Sequence, residues 1–435
     1  MTRHLNVWIN DTQVGVLIDR NGIWSFTYSE AWVKHPEAYP LCPNLPLQVD
    51  THLDGSTHRP VQWYFDNLLP EEGQRVLLAQ AARLGGADAF GLLSHYGAES
   101  AGSLTLLPPG ATPAPGSCID LSEQELSQRI REMPSIPLAE QSAKRMSLAG
   151  AQHKVAVIFA DGALREPVGS LPSTHILKPD HPGDAWPHSV INEWFIMTLA
   201  GRVGLPVPTV HRRYLPEPVY LIERFDRRHD GNGWQRMHCI DACQLFGIDR
   251  AYKYAEGSVG RLAELSRHCL PSAKARLLLF QWLVFNVLVG NEDAHLKNLS
   301  VLPHGSTFRL APFYDLLCTA VYGTRAYGQD RWPDLASLAW PVQGTQRLNE
   351  IDKLTLIAAG ESLGIKAATA RNAINALVSS VPQQARLLLD ETTQENTSLG
   401  QASSDLQATL AGESRLLRAI VNIVINEMAN QLTKA

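Results

Sequence analysis

The sequence has no long apolar run. Its longest, Leu277 to Gly290, carries Gln281 and Asn286 and falls short of the ~20 residues a membrane span needs, so a membrane protein is excluded. Cysteine is scarce. Six thiols, Cys42, Cys118, Cys239, Cys243, Cys269 and Cys318, are scattered through 435 residues. That spacing excludes a disulfide scaffold and fits a reducing cytoplasm. The opening Met1-Thr-Arg-His-Leu-Asn-Val-Trp8 lacks the apolar core of a secretory signal. Charged residues reach only 19% against 45% apolar ones, which excludes a disordered, charge-rich chain. An excess of positive charge is also missing: the net charge is −5 and the pI near 6.3. A basic nucleic-acid binder acting alone is therefore disfavoured. No internal repeat is present, and the one biased tract is Pro108-Pro-Gly-Ala-Thr-Pro-Ala-Pro-Gly-Ser117.

What is present is a globular composition long enough for two or three domains. Val7 and Ile9, then Val14, Val16 and Ile18, alternate at strand period. Asn21-Gly22 stands between them and Ile23 to Tyr28, a hairpin signal because both residues tolerate positive φ. Helical spacing follows in Trp63 to Leu69 and Glu71 to Leu84, then a strand in Ser103 to Leu107. The Pro/Gly tract after it reads as a linker and domain boundary. Beyond Cys118 the pattern becomes mixed, with strands expected at Val155 to Phe159, Thr174 to Lys178, Thr209 to Tyr214 and Val219 to Glu223, and a helix at Ser189 to Val203. After Phe225 helices dominate. Leu277 to Leu288 is apolar nearly all round, as the buried centre of a helical lobe would be. The tail from Ile351 is helical, with breaks expected at Gly360, Gly364 and Pro382.

Four segments could carry chemistry. Asp293 with Asn298 has the i, i+5 spacing of a kinase catalytic loop, where the Asp accepts the proton of an attacking hydroxyl and the Asn holds Mg²⁺. The same residues also read as a capped polar loop at a helix end. Asp315 follows a hairpin pattern, Leu299 to Leu302 and Thr307 to Leu310, where kinases place a metal-binding Asp, although no glycine follows it and an ordinary turn would use it too. Lys178 ends a strand and Glu193 opens the next helix, the order of the ion pair that positions nucleotide phosphates, or simply a snorkelling lysine. Ser147 to Lys154 surrounds Gly150 with small residues that let backbone N–H groups approach phosphate oxygens, but it matches no standard phosphate-loop pattern. Each piece alone is weak. Their order along the chain is the informative observation.

Taken together, Ser147-Leu-Ala-Gly-Ala-Gln152-x-Lys154, His175-Ile-Leu-Lys178-Pro, Asn192-Glu193, Glu223-Arg-Phe-Asp-Arg-Arg228, Cys243-Gln-x-Phe-Gly247, Asp293-x-His-x-Lys-Asn298 and Pro312-Phe-Tyr-Asp315 closely resemble the HipA family. These are bacterial serine/threonine-kinase toxins of HipA–HipB toxin–antitoxin modules. Trp8-Ile-Asn10, Val14-Gly15, Phe65-Asp-Asn-Leu-Leu-Pro70 and Ala101 to Pro108 extend the likeness into the first domain. The stretch after about Arg325 resembles it least. The resemblance implies that Asp293 is the catalytic base and that Asn298 and Asp315 hold Mg²⁺. It implies that Lys178 contacts ATP phosphates, that Ala149, Gly150, Ala151, Gln152, His153 and Lys154 form a loop near them, and that Glu193 supports the lysine. Glu223, Arg224 and Phe225 would form the adenine hinge. His295, Leu296, Lys297, Tyr314, Leu316 and Leu317 would complete the nucleotide site, and Ser147 would be autophosphorylated. The implied partners are a HipB-like helix-turn-helix antitoxin, operator DNA reached through that complex, and an aminoacyl-tRNA synthetase as substrate, with dormancy as the outcome.

The expected architecture is α+β: a β-rich subdomain over residues 1–109, a kinase-like mixed lobe over 110–222, and a hinge with a helical lobe over 223–435. Arg224, Arg227, Arg228, Arg212 and Arg213 read as a solvated, salt-bridged face. His238, Cys239 and Cys243 lack an evident fourth ligand and read as core groups. Two other functions stay open beside a cytoplasmic protein kinase toxin: a small-molecule or lipid-type kinase, because Asp-x-His-x-x-Asn also resembles phosphoinositide and antibiotic kinases, and a silent co-repressor scaffold.

Overall fold

The computed structural model describes residues 2–133, 135–150, 152–231 and 233–434. The chain forms two compact units. One comprises Met1–Pro179, Leu221–Tyr252 and Val301–Ser306, and the other Asp180–Tyr220, Lys253–Ser300 and Thr307–Ala435. The fold is α+β, as expected. Among the described residues no helix is long and apolar enough to cross a membrane.

In the first unit, strands Thr2–Ile9, Thr12–Arg20 and Ile23–Tyr28 pair antiparallel, with Leu104–Leu107 on the far side of the first and His52–Leu53 beside the third. The Asn21-Gly22 turn has φ of 55° and 83°, the left-handed values that the two-residue hairpin requires. Alternate residues Leu5, Val7, Ile9, Trp24, Phe26 and Tyr28 are buried under helices Pro60–Asp66 and Ala89–Tyr96, where Phe26 meets Phe65 and Trp24 meets Phe90 edge-on. A second antiparallel group runs in the order His175–Pro179, Val155–Ala160, Ala163–Val168, Ser117–Asp120.

Two of the sequence motifs serve packing. Asp241 and Gln244 form a capping box on helix Ala242–Phe246, and Gly247 closes it at φ 65°. Gln244 Nε2 donates to the Tyr64 carbonyl, and Asn67 Nδ2 to those of Trp63 and Ile248. His238 is a core residue, its Nε2 on the Leu41 carbonyl and its Nδ1 on Ser103 Oγ.

The expected solvated basic face is overturned at Arg224 and Arg227, while Arg228 is exposed. Arg224 and Arg227 are buried, with Arg236 and Lys144, around a fully buried Glu99. Arg227 and Arg236 reach the two Glu99 oxygens at 2.9 and 2.6 Å, and Lys144 Nζ lies at 2.8 Å. Arg224 forks onto Asp226 at 2.9 and 2.8 Å. Glu99 sits on the short strand Glu99–Ser100, which pairs in parallel with Met146–Ser147. Burial alone would raise its carboxyl; Arg236, Lys144, Arg227 and Arg224 outweigh that and hold it well below the usual carboxylate range. Local charge pairing in sequence cannot show this, because Glu99 lies more than a hundred residues from the arginines it gathers.

The second unit is mainly helical: Ser189–Arg202, Val259–His268, Ser272–Leu288, Lys353–Ser362, Ala367–Ala402, Gln407–Ala419 and Asn426–Thr433. Helix Ser272–Leu288 buries nearly every residue from Leu279 on and is the centre of this unit. Of the three expected breaks only Gly364, at φ 81°, interrupts the chain. Gly360 lies inside a helix, where a Cβ would come within 2.7 Å of the Ala370 Cβ, so its role is close approach. Pro382 lies inside Ala367–Ala402. It removes one backbone hydrogen bond, but the stripe Ala370, Ile374, Leu377, Val381, Ala385 and Leu388 is buried on both sides of it and keeps the helix continuous. The side chain of Arg212 is covered as well, only 4% exposed. It donates to Asn396 Oδ1 at 2.8 Å and Glu395 at 2.7 Å, and its guanidinium lies 4.7 Å over the Trp194 ring.

Candidate active site

In the second unit, the segment after helix Ser272–Leu288 is fastened from within. Asn286 Nδ2 donates to the Trp282 carbonyl inside the helix, and its Oδ1 accepts from Asn291 Nδ2, each at 2.8 Å. Gly290 turns the chain at φ 62°. A Cβ there would lie 2.7 Å from Val424 Cγ1 and 2.9 Å from the Ala320 Cβ, so only glycine fits. Glu292 N donates to Thr319 Oγ1, and Asp293 N to Asn291 Oδ1. Burial raises the Glu292 carboxyl, which accepts from Ser337 N. Ala294 and Leu296 are buried, and Trp340 Nε1 donates to the Ala294 carbonyl. The backbone is thus inside while the Asp293 side chain, 46% exposed, faces out.

Asn298 Nδ2 donates to the Asp293 carbonyl at 2.8 Å, so the i, i+5 pair is one closed turn. His295 Nε2 stands 4.0 Å from Asp293 Oδ1. Tyr254 Oη donates to the same Oδ1 at 2.5 Å. Tyr254 carries no signal of this contact in the sequence, since nothing in its neighbourhood points to a partner 39 residues on.

Asp315 has φ 52°, a left-handed conformation that costs a non-glycine residue on the order of 1 kcal/mol or more. Anchors on either side impose it. Phe313 N donates to the Pro206 carbonyl and its ring stacks on Trp282. Tyr314 Oη bonds the Lys297 carbonyl at 2.7 Å and Ser300 Oγ at 2.6 Å, which ties this segment to the end of the Asp293 turn. Cys318 exchanges two bonds with the amide of Asn192, fixing the segment to the start of helix Ser189–Arg202, where Glu193 is also buried. Burial raises the Tyr220 hydroxyl well above its ordinary value, and the carboxylates of Glu193 and Asp315 beside it act in the same direction. Tyr220, like Tyr254, carries no sign of these neighbours in its local sequence. The second unit therefore gathers Asp293, His295, Leu296, Lys297, Asn298, Tyr314, Asp315 and Glu193 into one neighbourhood.

Leu316 and Leu317 also belong to the second unit, whereas Ser147, residues 149–154, Lys178, Glu223, Arg224 and Phe225 belong to the first. Gly150 has φ 112°, and a Cβ there would lie 2.4 Å from Lys154 Nζ. That ammonium donates to the Ala149 carbonyl at 2.7 Å and so folds the loop over its own glycine. The Gly150 carbonyl accepts from Glu71 N. Ala151 lies outside the described residues. His153 and Lys178 are buried, Glu223 is exposed and Phe225 half-buried. Arg224 N donates to the Thr174 carbonyl, while its guanidinium is taken up by Asp226.

The donor set of Asn298 and Asp315 is one amide oxygen and one carboxylate. Both are hard oxygen donors, and a pair is what Mg²⁺ takes from a protein when phosphates and water complete its shell. Among the described residues no group of three or more His, Cys, Asp or Glu side chains forms a metal cluster.

Comparison with known proteins agrees over nearly the whole chain. Residues 5–107 match the HipA N-terminal domain and residues 146–385 the HipA-like C-terminal domain. The putative kinase Y4mE of Sinorhizobium fredii is 34% identical over 90% of this chain and 93% of its own. The serine/threonine-protein kinase toxin HipA of Shewanella oneidensis is 30% identical over 74% of this chain and 76% of its own. The solved complex of Shewanella oneidensis HipA with HipB and operator DNA superimposes with a TM-score of 0.76 at 26% identity, covering 98% of this chain and 99% of that one.

Proposed function

The chain belongs to the HipA family, and from that premise we propose that it is an ATP- and Mg²⁺-dependent protein serine/threonine kinase acting as the toxin of a type II toxin–antitoxin module. The observation that carries this reading is the closed turn of Asp293 and Asn298, tied through Tyr314 to a strained Asp315.

In this reading Asp293 accepts the proton of an attacking serine or threonine hydroxyl. Asn298 and Asp315 hold Mg²⁺, which when bound neutralises charge on the nucleotide phosphates. Lys178, supported by Glu193, and the loop of Ala149 to Lys154 bind those phosphates. Glu223, Arg224 and Phe225 present backbone groups to adenine, and His295 to Lys297 with Tyr314, Leu316 and Leu317 line the rest. The functional domains are 1–109, 110–222 and 223–435. The partners are a HipB-like antitoxin and, through it, operator DNA, as in the Shewanella oneidensis complex; the substrate is a cytoplasmic translation protein such as an aminoacyl-tRNA synthetase. Ser147, whose backbone pairs with Ser100, is the site of autophosphorylation, and a phosphate there adds about −1.5 to −2 charges beside the nucleotide loop.

Incubation with labelled ATP, with and without purified aminoacyl-tRNA synthetases, tests the proposal. Label in a synthetase and on Ser147 is expected, and Asp293→Asn should remove both. Label that appears only in small molecules would make this a small-molecule kinase instead, and no transfer at all would leave a co-repressor.

A further inference from the structure

The Tyr254 hydroxyl holds the place that an acceptor hydroxyl has to take. It donates a hydrogen bond to Asp293 Oδ1 at 2.5 Å, as the serine or threonine being phosphorylated must do. The segment that carries it is fastened to the Asp293 turn at both ends. Leu296 N donates to the Lys253 carbonyl at 3.2 Å. At the other end Gly257 packs so tightly on Trp340 that a Cβ would come within 2.4 Å of the indole, and that same indole donates to the Ala294 carbonyl at 3.0 Å. The phenol ring itself rests edge-on to His295 at 5.0 Å and under Lys253 Nζ at 5.1 Å.

This contact is built, and it is also open. Asp293 is 46% exposed and Tyr254 37% exposed, so an incoming hydroxyl can compete for Oδ1. A buried bond would serve only to orient the carboxylate. One in reach of solvent does something more: it occupies Oδ1, the oxygen that water would otherwise compete for.

We propose that Tyr254 is an acceptor gate, a positioning residue that keeps water off Asp293 until a protein hydroxyl displaces it, and so limits futile hydrolysis of ATP. The inference rests on the reading of Asp293 as the base. In the productive step the acceptor oxygen bonds to the γ-phosphorus as the bond from that phosphorus to the bridging oxygen breaks. ADP leaves with the electron pair, and Asp293 takes the acceptor proton. With water as acceptor the same step yields phosphate, and this is what the phenol suppresses.

The experiment measures ATP hydrolysis by the full-length protein in Mg²⁺ without any protein acceptor. Tyr254→Phe keeps the ring and removes the hydroxyl, and should raise kcat for hydrolysis at least threefold with KM for ATP unchanged. Tyr254→Leu should shift it in the same direction. Damage to the fold lowers kcat or raises KM and cannot produce that split. An unchanged or lower kcat in both variants overturns the gate. The double variant Tyr254→Phe with Asp293→Asn separates the two readings: hydrolysis should fall to the level of Asp293→Asn alone. If it stays raised, Asp293 is not the base, and the catalytic assignment fails rather than the observation on Tyr254.

Discussion

Asp293 and Asp315 are held by different means. Asp293 projects from a turn whose backbone is tied down by Asn291, Asn298 and Trp340, so its side chain is left part-exposed, with Tyr254 on one oxygen. Asp315 is held by strain, its φ of 52° imposed by Phe313, Tyr314 and Cys318 on either side. Asp315→Asn keeps the shape and removes the charge. Calorimetry should show ATP affinity in Mg²⁺ reduced at least tenfold, with a much smaller change in EDTA. Equal affinity under both conditions would take Asp315 out of the metal shell. The pair Asp293 and Asn298 was legible from spacing because one turn of chain holds both. Tyr254 and Tyr220 were not, because their partners come from distant segments and a tyrosine carries no local signal of what its hydroxyl will meet.

Among the elements, the strand Val210–Tyr214 and the helices Ala367–Ala402 and Gln407–Ala419 meet through one buried polar cluster. Tyr214 Oη donates to Glu413 Oε2 at 2.7 Å, and Arg212 Nη1 lies 3.6 Å from the same oxygen. Burial raises the Glu413 carboxyl to about 7, against the opposing pull of Tyr214 and Arg212. A carboxyl raised in the folded state binds a proton that the unfolded chain has already lost. Stability from this group is therefore full below about pH 4.3, the unfolded value, and falls as pH rises toward 7. Glu413→Gln, which can still accept from Tyr214, should raise the melting temperature at pH 8 and raise it less at pH 5. A gain that is equal at both values would mean that Glu413 is ionised throughout.

At the scale of the molecule, each compact unit has its own organising centre. The helical unit is built on Ser272–Leu288, the sheet-rich unit on Glu99. Four cations and two carboxylates are out of water there, and the balance holds only while Glu99 stays ionised. Its depressed pKa contributes stability that is present above the ordinary carboxylate range and is lost as pH falls below it toward the folded value. Glu99→Gln leaves Lys144, Arg227 and Arg236 short of a charge. Removing one partner of a buried pair costs about 3–5 kcal/mol, so thermal unfolding at pH 7 should begin several degrees lower. The variant's melting temperature should also fall less steeply than the parent's between pH 5 and pH 3. An unchanged melting temperature would show that water reaches the cluster.

The sequence alone determined most strands of the two sheets, though not His52–Leu53, Ser117–Asp120 or Ala163–Val168, together with the hairpin at Asn21-Gly22, the buried helix through Leu288 and the order of the chemical groups along the chain. All of these are local: alternation, turn chemistry and spacing act within a few residues, and the chain carries them wherever it goes. What only the tertiary structure decided depends on groups far apart in sequence. Arg212, Arg224 and Arg227 look like surface charges until Glu413 and Glu99 arrive from elsewhere to pay for their burial. Gly360 and Pro382 look like helix ends until Ala370 and the stripe from Ile374 to Leu388 show what the packing gains by continuing. Asp293 looks like a base awaiting a substrate, and the fold sets a phenol on it, because a hydrogen bond across 39 residues is written in no local pattern.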